Sequence, residues 1–414
     1  MAVALTKMKR HPSNHNTVFI LISISFGVLF SACIAEALFR LFEHHLNAQH
    51  TYVGPGGLWV SDGRWGWKPE QGSYRITTDE FKTQGTVNSL NMNDKPYDPV
   101  ADAERTRILV LGDSHTYAVG VSMDQTWSKG LERRLNETYG TEAVRVYNGG
   151  VTGFNMHQYL LRLIDQGPLL QPHYVVVGLS YATDLYDLLP PNHGGWIYGG
   201  DRERDYFDFD SSGQLLERHW RPSSATNTQT TNHATTAQRL RTVLEYFATF
   251  RYLRRSNLAL FIGSHVKING QTLWPNMEVV VEKEASQVHQ YQWHLFEALL
   301  LRLKEESERQ NAKLVVVGIP YIAQVYDEIW EISFGKDPRF SRTAAIDRVR
   351  SYCQSHGIIY IDTLDAFRTK AKELGHWLHY RRDAHPTAEG QELIAETVLK
   401  AAAIQPAKHL EKAI

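Results

Sequence analysis

Five short apolar runs separated by stretches of helical periodicity constrain this chain more than any other feature. The runs are Ile108–Leu111, Val144–Tyr147, Tyr174–Leu179, Leu314–Ile319 and Ile358–Ile361. Between and after them lie the helix-like stretches Thr126–Tyr139, Met156–Gln166, Glu284–Gln310, Thr343–His356 and Thr387–Ala403. Continuous apolar strands are buried on both faces, and the helices that connect parallel strands supply the cover. The pattern predicts an α/β fold: a three-layer α/β/α sandwich around a five-stranded, mostly parallel sheet. Thr387 is the expected N-cap of the last helix. In open sheets of this kind, sites form at the carboxyl ends of the strands.

The residues expected at that edge include a serine. Gly112-Asp113-Ser114-His115-Thr116 follows the first apolar run directly, and Gly153 and Asp184 follow the second and third. Asp383-Ala384-His385-Pro386 comes about 270 residues after the serine, on the loop before the last helix. A serine hydroxyl is a weak nucleophile and needs a base, for which His385 is the candidate. Asp383 can fix the imidazole tautomer and stabilise the imidazolium. Residues two apart on an extended loop project to one side, so Asp383 and His385 are both expected to approach Ser114. Asp113 caps or braces the turn on the bland reading; His115 packs or is solvated, with a place lining the site as the alternative. His157, His193, His376 and His379 form no ligand set, so no metal or other cofactor is expected.

Composition excludes some classes. The chain has 414 residues, 43% hydrophobic and 21% charged, with net charge −1. No basic surplus points to a nucleic-acid partner. The two cysteines, Cys33 and Cys353, provide neither a disulfide framework nor metal-site spacing.

Thr17–Ala35 is 19 residues without a charge, preceded by Lys7, Lys9 and Arg10. That length just spans a hydrocarbon core as a helix, and positive charge stays cytoplasmic. The expected arrangement is a cytoplasmic segment 1–16, a transmembrane signal anchor 17–40 and a periplasmic or otherwise extracytoplasmic bulk, single-pass in the membrane. Two alternatives stay open: lipidation of Cys33 after Phe30-Ser31-Ala32, and a cleaved secretory signal.

Residues 41–105 read as a connecting region of short strands and turns. Residues 188–284 interrupt the strand–helix alternation and read as an insertion in a domain spanning 106–405, with 406–414 as a tail. Within the insertion, Phe207–Gly213 reads as a strand and hairpin turn. The polar run Ser223–Thr236 reads as a loop and Ala237–Ser256 as an amphipathic helix. The tryptophans Trp59, Trp65, Trp67 and Trp196 are better explained by packing than by stacking on sugar rings.

These blocks together carry a resemblance. Gly112-Asp113-Ser114, Asn148-Gly149-Gly150-Val151-Thr152-Gly153 and Asp383-Ala384-His385-Pro386 resemble, in order, three motif blocks of the SGNH/GDSL hydrolase family. Trp65-Gly66-Trp67-Lys68-Pro69 and Val87-Asn88-Ser89-Leu90-Asn91 resemble the lead-in of its membrane-anchored bacterial members. The resemblance implies a flavodoxin-like SGNH hydrolase fold and a Ser114-His385-Asp383 triad. It also implies an oxyanion hole built from the Ser114 and Gly153 N–H groups and a block-three side chain. The family has Gly-x-Asn-Asp there; this chain has Ser180-Tyr181-Ala182-Thr183-Asp184, so Thr183 stands where the asparagine would be. Asn155 is a substitute donor to weigh. The family's aspartate usually lies three residues before the histidine, where Arg382 stands here.

The resemblance implies a serine esterase acting through an acyl-enzyme on an acylated, for instance O-acetylated, glycan, lipid-like or small ester substrate outside the cytoplasm. One alternative is an O-acyltransferase modifying an exopolysaccharide or cell-wall glycan. In alginate-type acetyltransferases, however, Asp-x-His precedes the serine, whereas here Ser114 comes first. The other alternative is a non-catalytic glycan-binding protein on a hydrolase scaffold.

Overall fold

The computed structural model describes residues 58–78, 80–140, 142–190, 202–222, 277–381 and 383–405, with parts of 19–40, 51–53 and the single positions 193 and 195. The expected loop Ser223–Thr236, the expected helix Ala237–Ser256, Trp196 and the tail 406–414 lie outside the described residues. Two compact units are present: Met1–Gln49 with Thr230–Gly263, and His50–Gln229 with Ser264–Ile414.

In the second unit the five predicted strands form one sheet. They are β1 (Thr106–Gly112), β2 (Val144–Gly150), β3 (Tyr174–Ser180), β4 (Lys313–Ile319) and β5 (Ile359–Asp362). The order across the sheet is β5-β4-β3-β1-β2, with every pair parallel. This is the 2-1-3-4-5 order of flavodoxin-like folds, whose switch point lies between the first and third strands. Val110 and Leu111 of β1, Val146 of β2 and Val175–Val177 of β3 are fully buried. Each such side chain contributes about 1.5–3 kcal/mol when removed from water. That cost of exposure explains why the runs are continuous rather than alternating.

The helices that frame the sheet and the site include α1 (Ser114–Tyr117), α2 (Trp127–Tyr139), α3 (Met156–Leu170), α4 (Tyr181–Tyr186), α5 (Gln287–Arg309), α6 (Ala344–Ser355), α7 (Leu364–Leu374) and α8 (Ala388–Lys400); short helices also span Glu278–Val281, Ile322–Val325 and Asp327–Ser333. On one face α8 packs on α2 and on α7; on the other α5 packs on α3. The α6 side chain of Arg348 pairs with Glu297 of α5 at 2.9 Å. Helices therefore cover both faces of the sheet. Their starts are capped locally: Thr126 accepts from the Lys129 N–H, Asn155 from the His157 N–H and Thr387 from the Gly390 N–H.

The residues before β1 do more than connect. Strands Gly72–Thr77 and Lys82–Val87 pair antiparallel, as do Trp59–Asp62 and Gly66–Pro69. Trp65, Trp67 and Met92 belong to the main hydrophobic core. The Trp67 indole N–H donates to the Thr152 carbonyl at 2.9 Å and Trp65 donates to Asp165, so both rings are packing elements with satisfied polar edges. In the insertion, Arg204–Phe209 pairs with Leu215–Trp220 as a hairpin.

In the first unit, the described residues of 19–40 are helical. Phe19, Ile22, Phe26 and Phe30 stand exposed there. Among the described residues no helix is long and apolar enough to cross a membrane. The expected span Thr17–Ala35 is only partly within them.

Candidate active site

Ser114 opens α1 at the carboxyl end of β1, beside the switch point. Two glycines let this turn sit on the strand ends. A Cβ on Gly112 would stand 2.1 Å from Thr116 Oγ1, and one on Gly150 2.3 Å from the Tyr117 nitrogen. Asp113 is the N-cap: its carboxylate accepts from the His115 N–H at 2.8 Å. The last turn is closed by Ala118 at φ 63.

His385 Nε2 lies 2.7 Å from Ser114 Oγ. His385 Nδ1 hydrogen-bonds Asp383 Oδ1. Ser114 is buried, while the His385 and Asp383 side chains keep 18% and 31% of their surface at the rim. Burial opposes ionisation of Asp383, but the hydrogen bond and the charge of His385 hold its carboxyl below the usual range. An ionised Asp383 fixes the proton on His385 Nδ1 and leaves Nε2 to accept from the serine.

The loop that carries this pair differs from expectation. Residues 383–385 are not extended: Ala384 sits in the left-handed region at φ 67. The segment folds back on itself, with the Ala384 N–H bonded to the Tyr380 carbonyl at 3.0 Å and the Tyr380 N–H to the His385 carbonyl at 2.9 Å. Asp383 and His385 meet because a tight turn brings them together, not because alternate residues share a face.

Several residues that sequence reasoning missed hold the turn in place. The Glu80 carboxylate accepts from the Asp383 N–H at 2.9 Å. Tyr380 donates to the Gly120 carbonyl at 2.8 Å and packs against Phe81. Gln391 of α8 donates to the His115 carbonyl at 3.1 Å and accepts from the Trp127 N–H at 2.9 Å. It ties the helix after the His385 loop to the turn that bears Ser114. All three bridge positions far apart in the chain, and no local pattern marks them.

Gly153 lies in the turn after β2 at φ 77, a backbone state that glycine tolerates without cost. The turn is anchored by the Val151 N–H, which donates to the Gly112 carbonyl at 3.0 Å. Among the described residues, the N–H groups of Ser114 and Gly153 find no acceptor. Thr183 stands in α4, with its hydroxyl 3.4 Å from Ser180 Oγ and bearing on the Asp113 carboxylate. Asn155 is committed elsewhere: its amide donates to the Asp187 carbonyl at 2.7 Å and its oxygen caps α3.

Beneath the serine lie two buried carboxyls. Burial works against ionisation of Asp113, but the charge and hydrogen bonds of His115, with the Thr183 hydroxyl, keep it below its ordinary range. Asp184 goes the other way: burial and the Asp113 charge push it well above the carboxylate range, against hydrogen bonds from Tyr159 and the Ser180 N–H. Two neighbouring buried carboxyls cannot both ionise cheaply, so one carries the charge and the other the proton. Among the described residues no group of three or more His, Cys, Asp or Glu side chains is arranged to hold a metal ion.

Residues 273–413 match a family model described as an SGNH hydrolase-like domain, acetyltransferase AlgX. The matched stretch includes Asp383 and His385 and excludes Ser114. Similar solved structures include TesA, at 13% identity over 72% of this chain and 98% of that one, with a TM-score of 0.35. A catalytic mutant of the acetylxylan esterase Axe2 from Geobacillus stearothermophilus is 12% identical over 72% and 95%, with a TM-score of 0.36. The psychrotrophic esterase EstA from Pseudoalteromonas sp. is 12% identical over 72% and 96%, with a TM-score of 0.35. No curated protein matches the chain in sequence.

Proposed function

We propose that the chain is an SGNH/GDSL-type hydrolase, a serine esterase acting on O-acyl esters of an extracytoplasmic glycan or related substrate; the match of residues 273–413 to an SGNH hydrolase-like domain supports the reading. The observation that carries the reading is the contact of His385 Nε2 with Ser114 Oγ at 2.7 Å, with Asp383 on the other ring nitrogen. In this mechanism Ser114 Oγ attacks the acyl carbon and its proton passes to His385 Nε2. The N–H groups of Ser114 and Gly153 meet the oxyanion. His385 then delivers the proton to the departing alcohol, leaving an acyl-enzyme that water hydrolyses. The hole has two backbone donors and no block-three amide. A single donor is worth about 10²–10³ in rate, so slow turnover is expected.

A second reading is favoured by the description of the matching family model as an acetyltransferase. There a sugar hydroxyl replaces water at the acyl-enzyme. Both readings require Ser114. Purified protein is expected to cleave p-nitrophenyl acetate, and Ser114→Ala to lower the rate by at least about 10³. Full activity in that variant would sink both. Partition of acetyl between water and an added oligosaccharide separates them.

The proposed location is the outer face of a bacterial inner membrane, held by a single anchor over residues 17–40. The charge-free Thr17–Ala35 behind Lys7, Lys9 and Arg10, and the exposed Phe19, Ile22 and Phe26, support it. Protease added outside spheroplasts would then degrade the protein, and resistance would contradict this placement.

A further inference from the structure

Ser114 is flanked by two histidine–aspartate pairs, and the mechanism above uses only one. In the second, His115 Nδ1 lies 3.2 Å from both Asp113 carboxylate oxygens. Asp113 is fully buried, while the His115 side chain keeps 14% of its surface. The pair is rigid, because the same carboxylate also takes the His115 N–H and Gln391 holds the His115 carbonyl. With Asp113 ionised, the Nδ1 proton of His115 faces inward whether or not the ring is charged. Nε2 is the edge left for a ligand, and among the described residues nothing hydrogen-bonds to it.

Its position identifies which part of a substrate it meets. The His115 and His385 ring centroids are 5.0 Å apart. His385 must deliver its proton to the departing alcohol, so the alcohol half of the ester lies at His385. A fixed imidazole edge beside His385 therefore faces the alcohol.

We propose that His115 is a specificity-determining residue, whose Nε2 hydrogen-bonds a free hydroxyl on the alcohol moiety. The proposal rests on the esterase reading for the orientation of the ester. A hydroxyl both donates and accepts, so it satisfies Nε2 when the ring is neutral and when it is protonated. The preferred substrate is then an ester whose alcohol keeps a hydroxyl near the acylated oxygen, as in a partly acylated carbohydrate. A simple aryl or alkyl ester offers no such group.

The test compares kcat/KM for a mono-O-acetylated methyl glucoside and for p-nitrophenyl acetate. His115→Ala is expected to lower the ratio of the two about tenfold, the scale of one hydrogen bond. His115→Gln, which can still donate and accept, is expected to recover part of it. An unchanged ratio, whether both rates fall together or neither falls, would overturn the assignment, since a bracing residue affects both esters alike. A wild-type protein inactive on both esters would instead contradict the esterase reading. In that event glucoside binding by calorimetry to Ser114→Ala decides the contact: weakening on adding His115→Ala supports it, and unchanged binding overturns it.

Discussion

At the residue scale the site depends on one tautomer. Asp383 holds the His385 Nδ1 proton, and only then is Nε2 free to take the proton of Ser114. Asp383→Asn keeps the shape but reverses this, because an amide can present its own N–H to Nδ1. The expected outcome is a fall in kcat on the order of 10⁴ with the fold intact. Steady-state kinetics beside a circular dichroism spectrum check it. A drop of tenfold or less would assign Asp383 a minor part. Ser114 and His385 were legible in the sequence because a serine after an apolar run and an Asp-x-His before a helix are local patterns. The left-handed Ala384 was not legible, since its conformation is imposed by Tyr380 and Glu80 rather than by its neighbours.

At the scale of elements, the site is assembled by joining α8 to α1 and α2. Gln391 is fully buried and makes that joint with both ends of its amide. Gln391→Ala leaves the Trp127 N–H and the His115 carbonyl without partners in a dry interior. Each orphaned group costs about 1–3 kcal/mol. Chemical denaturation is expected to show a loss of that order, with kcat/KM reduced as the His385 loop loses its register against Ser114. Unchanged stability would mean that the joint is carried by apolar packing between α2 and α8. The elements themselves were well forecast: the predicted run Val144–Tyr147 became Val144–Gly150, and Glu284–Gln310 became Gln287–Arg309. Burial of whole strands and local capping decide such features within a few residues. What joins one element to another depends on contacts such as Gln391 to His115, across 276 positions, and periodicity carries no trace of them.

At the scale of the whole unit, a buried ionic cluster fastens the segment before β1 to the sheet. Lys129 Nζ lies 2.6 Å from Asp94 Oδ1 and 3.0 Å from Glu132 Oε2. Arg145 Nη1 reaches the same two carboxylates at 3.1 and 3.0 Å. The Asn148 N–H donates to Asp94 at 2.9 Å, so the cluster also fixes the start of the turn that ends in Gly153. Burial opposes ionisation of Glu132, but Lys129 and Arg145 outweigh it and lower its pKa to about 2. The unfolded chain then binds the proton first as acid is added. Stability from this group is complete above the ordinary carboxylate range and is lost as pH falls toward about 2. Melting curves should show Tm dropping across that window. Glu132→Gln should flatten the drop and cost about 3–5 kcal/mol at neutral pH, because it strands buried cations. A pH-independent Tm would show that the cluster is solvated.

Catalysis at this site requires Ser114 to be an activated nucleophile. A fluorophosphonate probe tests this directly, since it labels only a serine whose hydroxyl is deprotonated by a neighbouring base. Intact-mass and peptide analysis of the full chain should show one adduct, located on Ser114 and absent from Ser114→Ala and His385→Ala. Absence of any adduct, or an adduct on another residue that persists in Ser114→Ala, would contradict it.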